Sequence, residues 1–251
     1  MDDGAATVRI RMRKSPGESR RATVVRNEGV VMATMPEILQ EESFFQAVHL
    51  VQKYFGLTNE TGRHVGASFE TIGGRWDDAA TINEVTPSDL IALATLSVEV
   101  KGSSAVALLD PEMSSTITAL LAQIPPDLTL VDDDAPAILD DSGPAAELWS
   151  VVRKVDGFGP TRTSKLLARK RPRLIPVFDS VVAAELGLKG PLDHWTVMRD
   201  LVTQDEGALW QRAERIRAEV GLDDAVTPLR IIDIVLWRHG KDTGRVVADD
   251  S

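Results

Sequence analysis

The chain contains no cysteine. This absence excludes disulfide bonds, zinc sites built from thiolates, cysteine-ligated iron–sulfur clusters and cysteine nucleophiles. The four histidines also lack the spacing of metal ligands. We therefore expect neither a metal ion nor another cofactor. A chain without cysteine fits a reducing compartment, and we expect a cytoplasmic location.

Long apolar runs are also missing. The N-terminal residues, MDDGAATVRIRMRKSPG, lack the apolar core of a signal peptide. The longest apolar stretch near the C-terminus, Ile231 to Trp237, is interrupted by Asp233 and is too short to cross a bilayer. The sequence also lacks a phosphate-binding loop, a dinucleotide fingerprint and a serine elbow. These absences predict a soluble protein without membrane partners.

The charge of the chain is negative overall but unevenly distributed. The formal net charge of −10 argues against a protein that coats nucleic acid with its whole surface. The segment from Phe158 to Phe178, however, contains six basic residues and no acidic one: Arg162, Lys165, Arg169, Lys170, Arg171 and Arg173. This pattern predicts one basic patch on an acidic body, although a solvated face without a ligand would have the same composition.

The periodicity of apolar residues is helical over most of the chain. Apolar residues recur at helical spacing from Phe44 to Phe55, and Gly56 is suited to end that helix. Thr86-Pro87 is a good helix start. Further helices are predicted near residues 103–109, 114–123, 144–155, 161–169, 179–187, 191–203, 206–220 and 227–240. The predicted fold class is therefore mainly α, with the acidic residues around 132–143 as linker.

The first residues follow a different pattern. Thr7 to Met12 alternates apolar and polar residues, and Val24 to Met32 could pair with it as a small β-hairpin. A disordered arm is an equal alternative. The predicted parts are an N-terminal arm or hairpin at 1–36, a helical domain at 37–240 with a helix-hairpin-helix at 144–170, and a flexible polar tail at 241–251.

A tight hairpin is predicted in the middle of the chain. Gly157 and Gly159 flank Phe158, so that the backbone can turn sharply while the apolar ring packs between the two helices. Backbone amides at the start of the second helix, near Thr161, would point outward at the positive end of the helix dipole, which suits a phosphate.

The basic residues of the second helix support the same interpretation. Arg162, Lys165 and Arg169 fall on one helical face, so that they could follow a single nucleic-acid strand. Leu166 and Leu167 would then face the core. The alternative is an ordinary connection between two helices that serves only for packing.

This segment resembles the helix-hairpin-helix motif of DNA-binding proteins, and the likeness extends to Asp179, which lies 22 residues after Gly157. In the helix-hairpin-helix superfamily of DNA glycosylases, an aspartate at this register begins a helix at the mouth of a cleft. The resemblance covers residues 144–190 and implies a two-lobed helical core, DNA as the partner and Asp179 as the catalytic carboxylate. The whole chain looks like an uncharacterised bacterial family.

The resemblance also limits the expected chemistry. Thr161 stands where bifunctional glycosylases carry a Schiff-base lysine, so that the implied activity is monofunctional base excision. Cleaving an N-glycosidic bond develops positive charge on the sugar, and an ionised aspartate can stabilise that charge. Asp179 followed by Ser180 would also cap a helix without any catalysis. The alternative function is a non-catalytic nucleic-acid-binding or protein-interaction module, and a third hypothesis is a structural helical protein.

Two other residues carry weaker predictions. Asp233 lies within an apolar helix, where an unpaired carboxylate is costly, and we expect it to pair with an arginine. Trp76 lies in a polar loop and is the tryptophan expected to line a pocket, whereas the other four are expected in the core.

Overall fold

A computed structural model describes residues 33–60, 62–188 and 193–244, which contain eleven α-helices and no strand. The prediction of a mainly α class is confirmed. Within these ranges, no helix combines the length and the apolar character needed to span a membrane. The predicted strands before residue 33, and the tail after residue 244, lie outside the described residues.

The helix boundaries follow the sequence signals closely. The helices are α1 (Phe44–Phe55), α2 (Pro87–Thr95), α3 (Gly102–Leu109), α4 (Pro111–Leu121), α5 (Ala135–Leu139), α6 (Pro144–Arg153), α7 (Pro160–Lys170), α8 (Ser180–Glu185), α9 (His194–Thr203), α10 (Ala208–Val220) and α11 (Pro228–Asp242). The last helix thus continues two residues past the predicted end at Gly240, into the segment predicted as tail.

Local capping interactions explain several of these boundaries. At the start of α2, Thr86 Oγ1 accepts a hydrogen bond from Asp89 N and Thr86 N donates to Asp89 Oδ2, which forms a capping box. Thr227 Oγ1 caps α11 by accepting a hydrogen bond from Arg230 N (3.3 Å). Gly56 ends α1 in the left-handed conformation (φ 69°), which a residue with a Cβ adopts less readily.

The helices pack in two groups around one continuous core. Helix α11 contacts α1, α8 and α10, and its residues from Pro228 to Leu236 are all buried. Helix α6 contacts α4, α5 and α7, and α2 packs against α7. A single cluster of buried apolar side chains extends through both groups.

The acidic segment before α6 is part of this core, and its prediction as linker is wrong. Leu130 and Ala135 are fully buried, and α5 packs against α6. The run Asp132 to Asp134 is exposed. The charged residues lie on the surface of a packed element here, since the apolar residues on either side of them face inward.

The predicted basic patch is largely in the interior, which corrects the expectation of a basic surface. Lys165, Arg169, Lys170 and Arg171 are each at most 3% exposed. Arg169, Lys170 and Arg171 turn toward the loop between α1 and α2, whose backbone carbonyl groups need hydrogen-bond partners when they are buried. The cations therefore serve the fold at this position.

Asp89 is the carboxylate that pairs with Arg169 and Lys170. Arg169 Nε lies 3.0 Å from Asp89 Oδ1, and Lys170 Nζ lies 3.2 Å from Asp89 Oδ2. The remaining donors bind backbone carbonyls: Arg169 donates to the carbonyls of Phe69 (2.6 Å) and Gly74 (2.7 Å). Asp89 thus joins the start of α2 to the end of α7.

Arg171 binds carbonyl oxygens without a carboxylate. Its guanidinium donates to the carbonyls of Ile82 (2.9 Å), Leu121 (2.5 Å) and Ile124 (2.7 Å) and to the side chain of Asn83. Burial lowers the pKa of Arg171 to about 10, and burial also lowers the pKa of Lys170. Arg171 thus links the end of α4 to the loop before α2 through hydrogen bonds.

We predict that Asp89→Asn lowers the free energy of unfolding by about 3–5 kcal/mol, because the substitution leaves two buried cations without their counter-charge. Urea denaturation followed by circular dichroism measures this change. Glu84→Gln, an exposed acid in the loop before α2, is the control and should change stability by less than about 0.5 kcal/mol. Equal effects of the two substitutions would show that Asp89 does not hold the cations.

Candidate functional site

A cavity of about 170 Å³ opens between the loops that follow α1 and α2 on one side and α7, α8 and α11 on the other. Three of the predicted site residues, Thr161, Lys165 and Asp179, line it together. Asp233 and Trp237 of α11 line it from another side. The structure therefore brings the predicted carboxylate to the wall of a cavity beside the hairpin helix.

Lys165 and Asp179 form an ion pair in this cavity. Lys165 Nζ donates to Asp179 Oδ2 (3.2 Å) and to the carbonyl of Leu96 (2.9 Å). The lysine side chain is 3% exposed and the aspartate side chain 20% exposed. Asp179 Oδ1 accepts a hydrogen bond from Val181 N (3.0 Å), so that the same carboxylate also caps α8. The capping role and the position in a cavity are both present.

The backbone next to Leu96 is unusual. Ser97, which also lines the cavity, has a φ of 61°, in the left-handed region that a residue with a Cβ seldom adopts. Such strained positions are enriched at functional sites. The hydrogen bond from Lys165 to the carbonyl of Leu96 holds this turn against α7.

A second group of buried charges is centred on Arg230. Its guanidinium donates to Glu70 Oε1 (2.7 Å), to Tyr54 Oη (2.8 Å), to the carbonyl of Gly66 (3.1 Å) and to Asp233 Oδ2. The prediction that Asp233 pairs with an arginine is confirmed. Burial raises the pKa of Tyr54 to about 12, so that its hydroxyl is protonated at neutral pH.

Three aromatic rings stand together on one wall of the cavity. The rings of Tyr54 and His64 lie 4.7 Å apart between centroids, and those of His64 and Trp237 lie 4.9 Å apart. Trp237 is four residues after Asp233, hence on the same face of α11. Trp237 was expected in the core, but it lines the cavity, and its spacing from Asp233 is the signal that could have identified it.

The prediction that Trp76 lines a pocket is wrong. Its side chain is 3% exposed, and its Nε1 donates to the carbonyl of Ala225 (3.0 Å). The guanidinium of Arg173 lies 5.5 Å from its ring centroid. Although its neighbours in sequence are polar, this ring is anchored beneath the turn that precedes α11.

A tight turn connects α6 and α7. Phe158 is 2% exposed and packs into the core, as predicted. Gly157 has a φ of 81°, and a Cβ at this position would lie 2.9 Å from Ser104 Oγ. Asp156 is exposed, and Gly157 and Gly159 are half-buried, so that one side of the turn faces solvent.

Arginine side chains bind the carbonyl groups of this turn. Arg153 donates to the carbonyl of Phe158 (2.9 Å), while Arg162 donates to those of Gly157 (3.0 Å) and Glu99 (2.7 Å). Arg153 is exposed and Arg162 is half-buried. Lys101 is also exposed, and its Cδ lies 3.9 Å from the position of a Cβ on Gly157.

The expectation of one outward basic face on α7 needs correction. Lys165 faces Asp179 and Arg169 faces Asp89, both in the interior. Among the three cations predicted to follow a strand, Arg162 is the one that reaches the surface. The apolar partners Leu166 and Leu167 are buried, as predicted. Arg169 is covered by the loop between α1 and α2, and Lys165 contacts the turn after α2.

Within the described ranges, no group of three or more acidic or histidine side chains is arranged to hold a metal ion. Comparison with protein-family models matches residues 47–240 to DUF6308, a family of unknown function. The chain belongs to DUF6308. A search of curated proteins and a search of solved structures each found no match. The region that defines this DUF6308 member includes the hairpin, the Lys165–Asp179 pair and the aromatic wall.

His194 lies behind the connection that carries Asp179. It is the first residue of α9, is 1% exposed and meets the ring of Phe178 edge-on at 5.6 Å. Among the described residues, neither of its ring nitrogens has a hydrogen-bond partner. Burial lowers the pKa of His194 to about 4.

We predict that this histidine makes the protein less stable in mild acid. The unfolded chain binds a proton near pH 6.5 and the folded chain only near pH 4, so that stability is lost as the pH falls between these values. The loss at pH 4 should reach about 3 kcal/mol. Urea denaturation of the wild type and of His194→Phe from pH 7 to pH 4 measures this loss of stability. The variant should not show the loss, because it has no imidazole at this position.

His49→Gln is the matched control, since His49 is an exposed histidine on α1. It should retain the pH dependence of the wild type. If His194→Phe kept the same dependence, the buried imidazole would not be its source.

Proposed function

We propose that this protein binds DNA at the hairpin and removes a base by hydrolysing an N-glycosidic bond, with Asp179 as the catalytic carboxylate. The observation that carries the proposal is the position of Asp179, whose carboxylate lines a cavity next to the hairpin helix and pairs there with Lys165. A residue that served only as a helix cap would need no cavity beside it.

The resemblance of residues 144–190 to the helix-hairpin-helix glycosylases supplies the reaction class. In that superfamily the aspartate lies at the mouth of a cleft between two lobes of a helical core. The helical fold of this chain is consistent with such an architecture. The tight turn at Gly157 and the cap that Asp179 provides for α8 are further points of agreement.

The cavity has the size and the walls to accept one planar ring. A cavity of about 150 Å³ in another protein is known to bind benzene, and the cavity described above is slightly larger at about 170 Å³. Tyr54, His64 and Trp237 offer aromatic surface against which a flipped base could stack. Asp179 would then lie beside the sugar.

The chemistry requires a negative charge next to the anomeric carbon. As the bond between the sugar and the base breaks, positive charge develops on the sugar, and the Asp179 carboxylate would stabilise it. Lys165 holds one carboxylate oxygen and the amide of Val181 holds the other, which keeps the group in place while the base departs. Thr161, which also lines the cavity, cannot form a Schiff base.

Exposed cations near the turn would contact the DNA backbone. Lys101 and Lys154 are exposed, and Lys154 directly follows α6. Arg162 is partly accessible at the first turn of α7. These cations, together with the amides at the start of α7, replace the buried Lys165 and Arg169 as the proposed phosphate contacts.

We predict that Lys101→Gln/Lys154→Gln weakens binding to a DNA duplex and reduces the slope of log affinity against log salt concentration by about 2, since each lost phosphate contact removes about one unit. Fluorescence anisotropy at several salt concentrations measures both quantities. Arg215→Gln/Arg217→Gln, on α10, makes the same change in net charge and is the control. If the two double variants had equal salt slopes, the hairpin would not be part of the DNA interface.

We also predict that Asp179→Asn abolishes base release from those damaged duplexes on which the wild type is active. A panel of duplexes with different modified bases, analysed by chromatography of the released base, provides the measurement. Asp156→Asn, an exposed acid of the same hairpin, should retain activity. The catalytic proposal is wrong if no duplex loses a base with the wild type, or if Asp179→Asn is equally active.

A non-catalytic DNA-binding module is the second candidate. It is favoured by the fact that both oxygens of Asp179 already have partners within the protein. Salt-dependent duplex binding without any base release would identify this alternative.

A further inference from the structure

We propose that Asp233 is the general acid of the cavity and protonates the departing base while Asp179 stabilises the sugar. This inference rests on the proposed function and adds to it a second catalytic residue and a substrate class. The substrates would be neutral bases, which need a proton in order to leave.

The first argument is the position of the two carboxyl groups. Asp233 comes from α11 and Asp179 from the start of α8, and both line the same cavity. Glycoside hydrolysis in general uses two carboxyl groups of opposite function, one protonated and one ionised. Carboxyl groups on separate elements can act on the two sides of the bond that breaks.

The second argument is the balance of buried charge around the cavity. The two buried cations, Arg230 and Lys165, face three carboxyl groups, namely Glu70, Asp179 and Asp233. Lys165 pairs with Asp179, and Arg230 is shared between Glu70 and Asp233. A buried region with one carboxylate in excess favours the uptake of one proton.

The third argument is that the surroundings of Asp233 differ from those of Asp179. Asp233 is 3% exposed, and burial raises its pKa to about 6. Arg230 opposes this shift, whereas the Asp179 carboxylate raises the pKa further. The other titratable or charged groups that line this cavity or contact Arg230 are Tyr54, His64, Glu70, Lys165 and Lys241. Two carboxyl groups whose surroundings differ in this way can divide the roles of acid and base between them.

Asp233 also has an oxygen available for the proton. Its Oδ2 accepts a hydrogen bond from Arg230 Nη1, and no described residue hydrogen-bonds to its Oδ1. Asp179 differs in this respect, since Lys165 and the amide of Val181 occupy its two oxygens. The proton donor and the charge stabiliser are therefore separate groups.

Water is the only reactant that the proposed step needs besides the substrate. The bond between the anomeric carbon and the base nitrogen breaks, and its electron pair stays with the base. Asp233 transfers its proton to the base, which leaves as a neutral molecule. Water adds to the anomeric carbon and releases a proton to solvent, and Asp233 takes up a proton from solvent to restore the acid. The products are the free base and an abasic sugar.

The test compares two kinds of leaving group. Uracil and hypoxanthine are neutral bases that need a proton, whereas 7-methylguanine already carries a positive charge and leaves without one. Single-turnover release of each base by the wild type is measured from pH 5 to pH 9. Above about pH 6, release of the neutral bases should slow by about tenfold per pH unit as Asp233 loses its proton. Release of 7-methylguanine should not slow in this way.

The variants separate proton transfer from structural effects. Asp233→Asn should slow release of neutral bases by about 10²-fold or more and release of 7-methylguanine only a few-fold. Asp179→Asn should abolish both. Asp156→Asn is the control, because it removes an exposed carboxyl group that neither lines the cavity nor contributes to the charge around Arg230, and it should affect both kinds of base equally.

Each outcome has a distinct meaning. Equal effects of Asp233→Asn on the two kinds of base, or wild-type release of 7-methylguanine alone, would overturn the role of Asp233 while the proposed function stands. No release of any base by the wild type would overturn the proposed function and this inference together. If Asp233→Asn does not fold, the wild-type pH profiles decide, and the same profile for both kinds of base would refute the proposal.

Discussion

The structure depends on the buried cations at the end of α7. The loop between α1 and α2 contains little regular structure, so that its buried carbonyl groups have few partners of their own. Arg169, Lys170 and Arg171 bind these carbonyls, and Asp89 supplies the counter-charge for the first two. Because the same helix carries Lys165, the interaction that fixes the loop also fixes one wall of the cavity.

The helical domain thus contains two networks of buried charged residues, and the net charges of the two networks have opposite signs. Around Asp89, the cations outnumber the carboxylates, and neutral backbone carbonyls make up the difference. Around Arg230, the carboxyl groups are in excess, and the network borders a cavity. Buried ions are costly unless they are paired or hydrogen-bonded. The carbonyls compensate the excess charge around Asp89, whereas the excess carboxyl group beside the cavity is more readily explained by function than by stability.

Features set by neighbouring residues were predictable from the sequence. The caps at Thr86 and Asp179 and the end of α1 at Gly56 depend on a few consecutive residues, and the structure has them where they were expected. The pairing of Asp233 was predictable as well, because an unpaired carboxylate in an apolar helix is costly.

Features that depend on distant residues were not predictable. Arg169 meets Asp89, 80 positions away, and no local pattern shows that these cations turn inward. Trp76 reaches the carbonyl of Ala225, 149 positions away, so that a tryptophan in a polar segment is buried. For Asp179 the sequence predicted a carboxylate at a helix start, but the partnership with Lys165 required the geometry of the connection between α7 and α8.

The contact between α1 and α11 has a consequence for biosynthesis. Tyr54 and Arg230 are 176 positions apart and hydrogen-bonded, so that the two helices meet only after almost the whole described chain has left the ribosome. Until then, the apolar face of α1 lacks the partner that covers it. Contacts of such long range slow folding, and apolar surface that stays uncovered while the chain folds favours aggregation.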